Sequence, residues 1–522
     1  MRSRGKRILV VCHEIVLSGG LLRFDRVGRV IRQFGHRLAF VTFADHPTRH
    51  RTTEFEVLPL SEAGRQQWDA TFVPGAGFPA ETIGRFSELR RENFGVRVQH
   101  VLNDQTRRAG FLAVNHAFAP QVVIFNNHHW APGDYTDFTA DAFHHLEGGV
   151  DLQAFAPDPG RRRRAYGDPF VIGSQARKNP RPLVEAVRLS TPEVRLRLFG
   201  APGALADSAR DLIDSGRLEL LGPLEEAELP SLYAGIDCVV HTETFAGWAN
   251  IVAEAMASGV PAICTPNGTL SIAIHEETAL VVAEPDPRAI AAAIARLKDD
   301  AELTVRLTRN ARRQVAPFSW VSYSAELLRL IERPAHSHYT SSPGIGLYGK
   351  WTEAQRLHGL EPILARAEAK SICDLGAGDG IVARRLLEHG AAALVGFDRD
   401  PGRVELAKDL CRQFPTAQFT TADLSDWNAF EQAHAGRLQP SYDIVLYLGL
   451  HHHLPAATRL GVIRGAAARA SSWFVVRTPA SLYQVDRIEA MLAAEGLALE
   501  AVTDGPPGTG TLYLFAREGR VG

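Results

Sequence analysis

The sequence predicts an α/β protein built from three successive open, mostly parallel sheets with helices on both faces. Three observations predict it. Short apolar runs alternate with helix-period stretches almost throughout. Small, glycine-bearing turns follow the first apolar run of the first and third units. A Pro-, Gly-, Ser- and His-rich stretch, 332–346, interrupts the alternation and is the expected linker.

The first unit, 1–150, has apolar runs at 7–13, 37–43, 70–75, 96–102 and 122–127. A helix is expected over Leu21 to Phe34, where Phe24, Val27, Val30 and Ile31 share one face. The second unit, 151–331, follows a crossing segment rich in Gly, Pro and Arg. Its runs lie at 170–174, 195–200, 218–222, 238–242 and 261–265, and a helix over 322–332 closes it. The third unit, 347–522, has runs at 371–376, 393–398, 417–423, 442–449 and 471–479, and ends on an expected antiparallel hairpin, 498–503 with 511–518.

Bulk properties narrow the function. At 522 residues the chain has room for several domains. A net charge of −2 argues against a general nucleic-acid binder, and no nucleic-acid partner is expected. The one concentrated basic run, Arg161–Arg164, admits two readings: solvated surface, or peripheral contact with phosphate or an anionic membrane. Four of the five cysteines lie in or beside apolar runs, none at a metal-type spacing, so a reducing, cytoplasmic setting is expected. The apolar run near the start ends at His13-Glu14 and reads as a first strand, and no run reaches the roughly 18 residues of a membrane span.

Three stretches of the first two units carry chemistry. SGGLLRF places Ser18, Gly19 and Gly20 between a strand and a helix, where backbone amides can approach a diphosphate. GGVDLQAFAPDP follows the fifth run. TFAGWANIVAEAMASGVPAICT supplies a turn, a helix and a strand. Together and in this order, over roughly 7–330, these stretches resemble the retaining family 4 glycosyltransferases of the GT-B class. The resemblance implies two Rossmann-like domains in a GT-B arrangement, an acceptor domain and then a nucleotide-sugar domain, and a metal-independent reaction. Glu254 matches the second glutamate of the family's pair and is expected on the donor ribose. Lys178 matches the phosphate lysine, with Arg177 beside it, and Gly247, Trp248, Ala249 and Asn250 match the loop entering the donor-facing helix. Two positions depart from the pattern. Ala246 stands eight residues before Glu254, where the first glutamate belongs, and Ser174 replaces the phosphate arginine. His100, at the end of a run near the expected cleft, is a candidate catalytic histidine, and a structural histidine is the other reading. His128, His129, His144 and His145 have no metal-ligand spacing, so no metal is expected.

In the third unit SICDLGAGDG sets Asp374, Gly376, Gly378 and Gly380 after a buried strand, with glycine at every second position rather than in a dinucleotide fingerprint. Asp398 follows 22 residues after Gly376, and Asp423 ends the third run. This order resembles the class I S-adenosylmethionine-dependent methyltransferases over roughly 365–518. The resemblance implies a Rossmann-like domain with S-adenosylmethionine as cofactor, Asp398 on its ribose and Asp423 near its adenine. YDIVLYLGLHHHLP then sets His451, His452 and His453 near the transferred methyl. His452 or His453 is expected either as a general base or as pocket lining. Tyr348, Lys350 and Trp351 read as a lid or a packing helix.

The expectation is a bifunctional transferase of polysaccharide-biosynthesis type. It moves a sugar from a nucleotide sugar to a glycan, lipid-linked or small-molecule acceptor, and methylates the same or a related product. In the alternative, the first two units form a non-catalytic glycan-binding module serving the methyltransferase. The sequence leaves the oligomeric state open.

Overall fold

The computed structural model describes residues 5–15, 19–43, 54–75, 78–101, 108–127, 136–158, 168–201, 203, 205–332, 338–342, 347, 349–506 and 508–518. The chain divides into two compact units, with the main boundary between Ser337 and His338.

The first unit holds two parallel sheets. In spatial order the first is Glu56–Leu58, Arg37–Thr42, Arg7–Cys12, Ala70–Pro74, Val96–Val101, Val122–Phe125 and Ala142–His145. The second is Leu218–Gly222, Val194–Phe199, Phe170–Gln175, Cys238–His241, Ala262–Cys264 and Leu280–Val281. Strands covered on both faces need apolar residues at both parities, which is why the runs read as continuous rather than alternating. The Gly19–Gln33 helix buries Phe24, Val27 and Ile31 against the first sheet. The Trp320–Glu332 helix, although it follows the second sheet, returns to this same core through Tyr323, Leu327, Leu330 and Ile331. The second sheet sits between Val187, Ile290 and Ile294 on one face and Val252, Met256 and Val315 on the other.

The second unit has a seven-stranded sheet ordered Ala417–Thr421, Ala393–Asp398, Ser371–Leu375, Tyr442–Leu448, Ala470–Thr478, Thr511–Arg517 and Leu497–Thr503. The first five strands run parallel, and Thr511–Arg517 is antiparallel to both neighbours. Alternate residues feed opposite cores: Cys373, Leu375 and Val445 on one side, Ile372, Ile444 and Leu446 on the other.

The expected linker is only partly one. Glu332 ends a helix of the first unit, whereas His338–Ser341 pairs in parallel with Gly349–Thr352 in a two-stranded sheet of the second. Thr340 N–H donates to the buried Asp379 carboxylate at 2.8 Å, anchoring this strand on the glycine-rich turn. Gly349 permits the pairing, because a Cβ there would lie 2.4 Å from the Thr340 carbonyl. Trp351 is buried in the second strand, so the expected lid or helix at this point is a packed strand; Tyr348 lies outside the described residues. The strands at 56–58, 142–145 and 280–281 also lacked a sequence signal, being short and at or near sheet edges.

A fragment starting at His338 is expected to melt in one cooperative transition. A fragment starting at Glu353 strands the buried Asp379 carboxylate, at about 1–3 kcal/mol, and should melt roughly 2–10 °C lower by calorimetry.

Candidate active sites

In the first unit the functional helix is Asn250–Ala257. Its residues from Ile251 to Ala257 are all buried, because both sheet-facing and helix-facing sides are covered. Glu254 is therefore only 4% exposed. Its Oε2 accepts from the Tyr233 hydroxyl at 2.8 Å, and its Oε1 lies 3.6 Å from the Arg26 guanidinium. Burial pushes the Glu254 carboxyl up to about 7, against the pull of Arg26 and the Tyr233 hydrogen bond. Arg26 comes from the helix that Gly19 and Gly20 open, and it also reaches Glu226 at 2.8 Å and Asn250 at 3.4 Å. One guanidinium thus ties the Gly19–Gln33 helix to Glu226 and to the helix carrying Glu254. Sequence reading found Glu254 and Asn250 but not Arg26, which sits on an ordinary-looking polar helix face.

The Ala246–Asn250 turn is held from the other domain. Asn127 donates to the carbonyls of Ala246 and Gly247 at 3.1 and 3.2 Å. Gly247 is required there, since a Cβ would fall 1.9 Å from Asn126 Nδ2. Trp248 stacks on Phe318 at 5.2 Å and is buried, so its ring packs the core under the turn. Lys178 is half-exposed and pairs with Glu243 at 2.6 Å, while Arg177 is exposed. Burial raises the Glu243 carboxyl, and Lys178 opposes that rise. Ser174 is buried and donates to the Val240 carbonyl at 2.7 Å. The family's arginine position is thus a strand-core hydroxyl here, and Glu243 supplies a carboxylate three residues from Ala246.

Of the two readings of His100, its surroundings fit the structural one. It is 1% exposed, and its Nε2 lies 3.2 Å from the Arg23 guanidinium and 3.1 Å from the Tyr323 hydroxyl. Burial, and then the charge of Arg23, hold its pKa well below the usual histidine range. Its Nε2 is thus engaged by two buried partners, one of them a guanidinium that can only donate. Glu147, in the crossing segment, is also buried; burial pushes it up to about 7, against a hydrogen bond from Ser271 and the charge of Arg23. His145 is bonded to the Asn127 carbonyl, and His128 and His129 lie outside the described residues. No cluster of three metal-ligating side chains occurs among the described residues.

In the second unit Gly376, Gly378 and Gly380 have φ of +83°, +58° and +80°, a left-handed run that side-chain-bearing residues adopt only with strain. Gly378 N–H donates to Asp398 Oδ2 at 2.9 Å, so the turn and the acid of the next strand are one structure. A cavity of about 230 Å³ opens beside them, lined among others by Tyr339, Gly376, Gly378, Asp398, Asp423 and His453. Asp374 and Gly380 do not line it. Asp374 is buried beneath the turn, pushed up to about 7 by burial against the pull of Arg356, and Gly380 caps the Ile381–Glu388 helix. Asp400 caps the following helix through Gly402 and Arg403.

The three histidines separate. His451 is sealed, bonded to Asp486 at 2.7 Å and Tyr447 at 3.2 Å. His452 is exposed and absent from the cavity wall, whereas His453 lines it. Burial, then Arg399 and Arg403, lower the His453 pKa, which favours a neutral ring. Tyr339, missed because it falls in the expected linker, lies between the guanidiniums of Arg356 (4.7 Å) and Arg403 (5.0 Å).

A family model described as glycosyl transferases group 1 matches residues 170–314, and one described as a methyltransferase domain matches 373–471. The chain joins a glycosyltransferase group 1 domain to a methyltransferase domain. The D-inositol 3-phosphate glycosyltransferase of Corynebacterium glutamicum (strain R) is 31% identical over 206 residues, covering 35% of this chain and 49% of that protein. Its counterpart in Thermobispora bispora is also 31% identical over 206 residues, covering 34% and 47%. This chain spans about half the length of the curated relatives it matches. Among solved structures, Anabaena HepE in complex with UDP superposes with a TM-score of 0.51 at 18% identity, covering 62% of this chain and 99% of that one. HepE with UDP and glucose gives 0.50 at 18%, covering 63% and 100%. The glycosyltransferase unit therefore has the GT-B fold, and the methyltransferase unit has a mixed, Rossmann-like sheet.

The buried carboxyls give the glycosyltransferase unit a signed pH dependence. A carboxyl whose folded pKa is raised stabilises the fold below about pH 4.5, and that contribution is lost as pH climbs to about 7. A Glu147→Gln, Glu254→Gln double variant is expected to gain melting temperature relative to the parent as pH rises from about 5 to about 7.5. A constant difference across that range would contradict these burials.

Proposed function

We propose that the chain catalyses two group transfers, moving a sugar from a UDP-sugar to a hydroxyl acceptor and a methyl group from S-adenosylmethionine to the same or a related product. The observation that carries the first reading is Glu254, a buried carboxylate at the junction of two sheets in a GT-B fold. Glu254 would accept the ribose hydroxyls of the donor. Lys178, released from Glu243, and the amides opening the Asn250–Ala257 helix would neutralise the diphosphate. The acceptor oxygen forms the new bond to the anomeric carbon, the bond to the diphosphate breaks, and the acceptor proton leaves with it. UDP is chosen as the nucleotide because the HepE complexes hold UDP and UDP-glucose. Glycans, lipid-linked sugars and small molecules are the acceptor classes to test.

The methyltransferase reading rests on the left-handed glycine turn tied to Asp398 beside a cavity, a cradle that side chains on those glycines would strain. These residues fit S-adenosylmethionine, which supplies an electrophilic methyl group. Gly376 and Gly378 would leave room for its methionine and ribose parts, Asp398 would accept its ribose hydroxyls, and Asp423 would face its adenine. His453, neutral and on the cavity wall, would take the proton of the hydroxyl being methylated.

Ser174 and Ala246 favour a second reading, in which the first unit binds a glycan or nucleotide without turnover. Titration of the intact chain tests both. Glu254→Ala should weaken UDP binding by about 1.5–3 kcal/mol and leave S-adenosylmethionine binding unchanged, and Asp398→Ala should do the reverse. UDP release from UDP-glucose in the presence of acceptor supports transfer. UDP binding without release supports the binding module, and absence of UDP binding overturns the donor assignment.

A further inference from the structure

The glycosyltransferase unit has a second concavity, at the end of its second sheet opposite the one that leads into Glu254. It is bounded by the starts of three strands, at Phe170, Asp237 and Pro261, and by one side of the Ala301–Val315 helix. Its volume, about 860 Å³, falls in the range of ligand pockets. Phe170 and Leu297 are buried at its base, and Val305 on its wall is 59% exposed, a large aliphatic side chain facing water.

The wall is also cationic. Arg309, Arg312 and Arg313 line it, and none has a side-chain hydrogen bond or ion pair among the described residues. The helix dipole accounts for arginines in the last turn, but Arg309 lies a turn earlier. The one acid in the wall, Asp237, accepts the Val171 amide at 2.7 Å and belongs to the strand pairing. Apolar floor and unbalanced arginines together match one chemistry, an anionic headgroup with an attached acyl chain.

We propose that this face docks the protein on a membrane surface containing acidic phospholipid. No described helix is long and apolar enough to cross a membrane, so the contact is peripheral. Val305 and its neighbours enter the headgroup boundary, and the three arginines bind phosphates. The contact lies at the end of the second sheet opposite Glu254, and it does not depend on the transfer reactions proposed above.

The test is co-sedimentation of the intact chain with phosphatidylglycerol vesicles and with phosphatidylcholine vesicles. The parent should prefer phosphatidylglycerol by at least about tenfold, with the preference shrinking at high salt. Arg309→Gln, Arg312→Gln, Arg313→Gln combined should lose about fivefold per arginine. Val305→Asp, at an exposed site that the fold tolerates, should also lose binding. Melting temperature and S-adenosylmethionine affinity, unchanged in both variants, control for folding. No binding, equal binding to both vesicles, binding unaltered in the variants, or full release by millimolar inorganic phosphate would each overturn the proposal.

Discussion

The Asn250–Ala257 helix can carry a carboxylate into the junction of two sheets only because the rest of it is hydrophobic. Seven consecutive buried residues, five of them alanine, valine or isoleucine, fix its position between the second sheet and the Ala301–Val315 helix. Glu254 is then where it is because of packing, and its charge is costly there. Arg26, Tyr233 and the Asn127-held turn all address that cost or the turn that precedes it. Gly247 stands in that turn because a Cβ there would fall 1.9 Å from Asn126 Nδ2.

The methyltransferase unit solves a related problem with backbone instead of side chains. Its glycine turn is held by its own amides: those of Gly376 and Ala377 donate to the Phe397 carbonyl, that of Gly378 to Asp398 and that of Gly380 to the Ala377 carbonyl. Asp379 answers the other side of the turn by accepting from Thr340. Asp398 therefore does both, holding the turn through Gly378 and facing the cavity, whereas Asp379 holds the turn and Asp423 faces the cavity; all three lie at the end of or just after the same three apolar strands.

Much of this was legible in the sequence, for a physical reason. Parallel strands buried on both faces need long apolar runs, so the Arg7–Cys12, Ser371–Leu375 and Tyr442–Leu448 strands announced themselves. Gly376, Gly378, Asp398, Asp423 and Glu254 sit at strand ends or on a buried helix, where residue type is tightly constrained. What was hidden depends on long-range contacts. Arg26 reads as a surface arginine until Glu226 and Glu254 arrive from more than 190 residues away. His100 reads as a strand-end histidine until Tyr323 seals it. Tyr339 and Thr340 lie in a stretch whose composition signals a loop, and only their pairing with Gly349–Thr352 makes them a strand. His451, His452 and His453 are equivalent by composition, and a single turn sends one inward, one to the cavity and one to solvent.

The central claim is that the buried carboxylates mark the two ligand seats. A crystal structure of the intact chain grown with UDP and S-adenosylmethionine tests it most directly. The account predicts ribose hydroxyls on Glu254, with Arg26 turned away from that carboxylate, and a second ribose on Asp398 with the glycine turn unchanged. UDP bound elsewhere while the Arg26–Glu254 pair persists, or S-adenosylmethionine outside the cavity lined by Gly376 and His453, would contradict it.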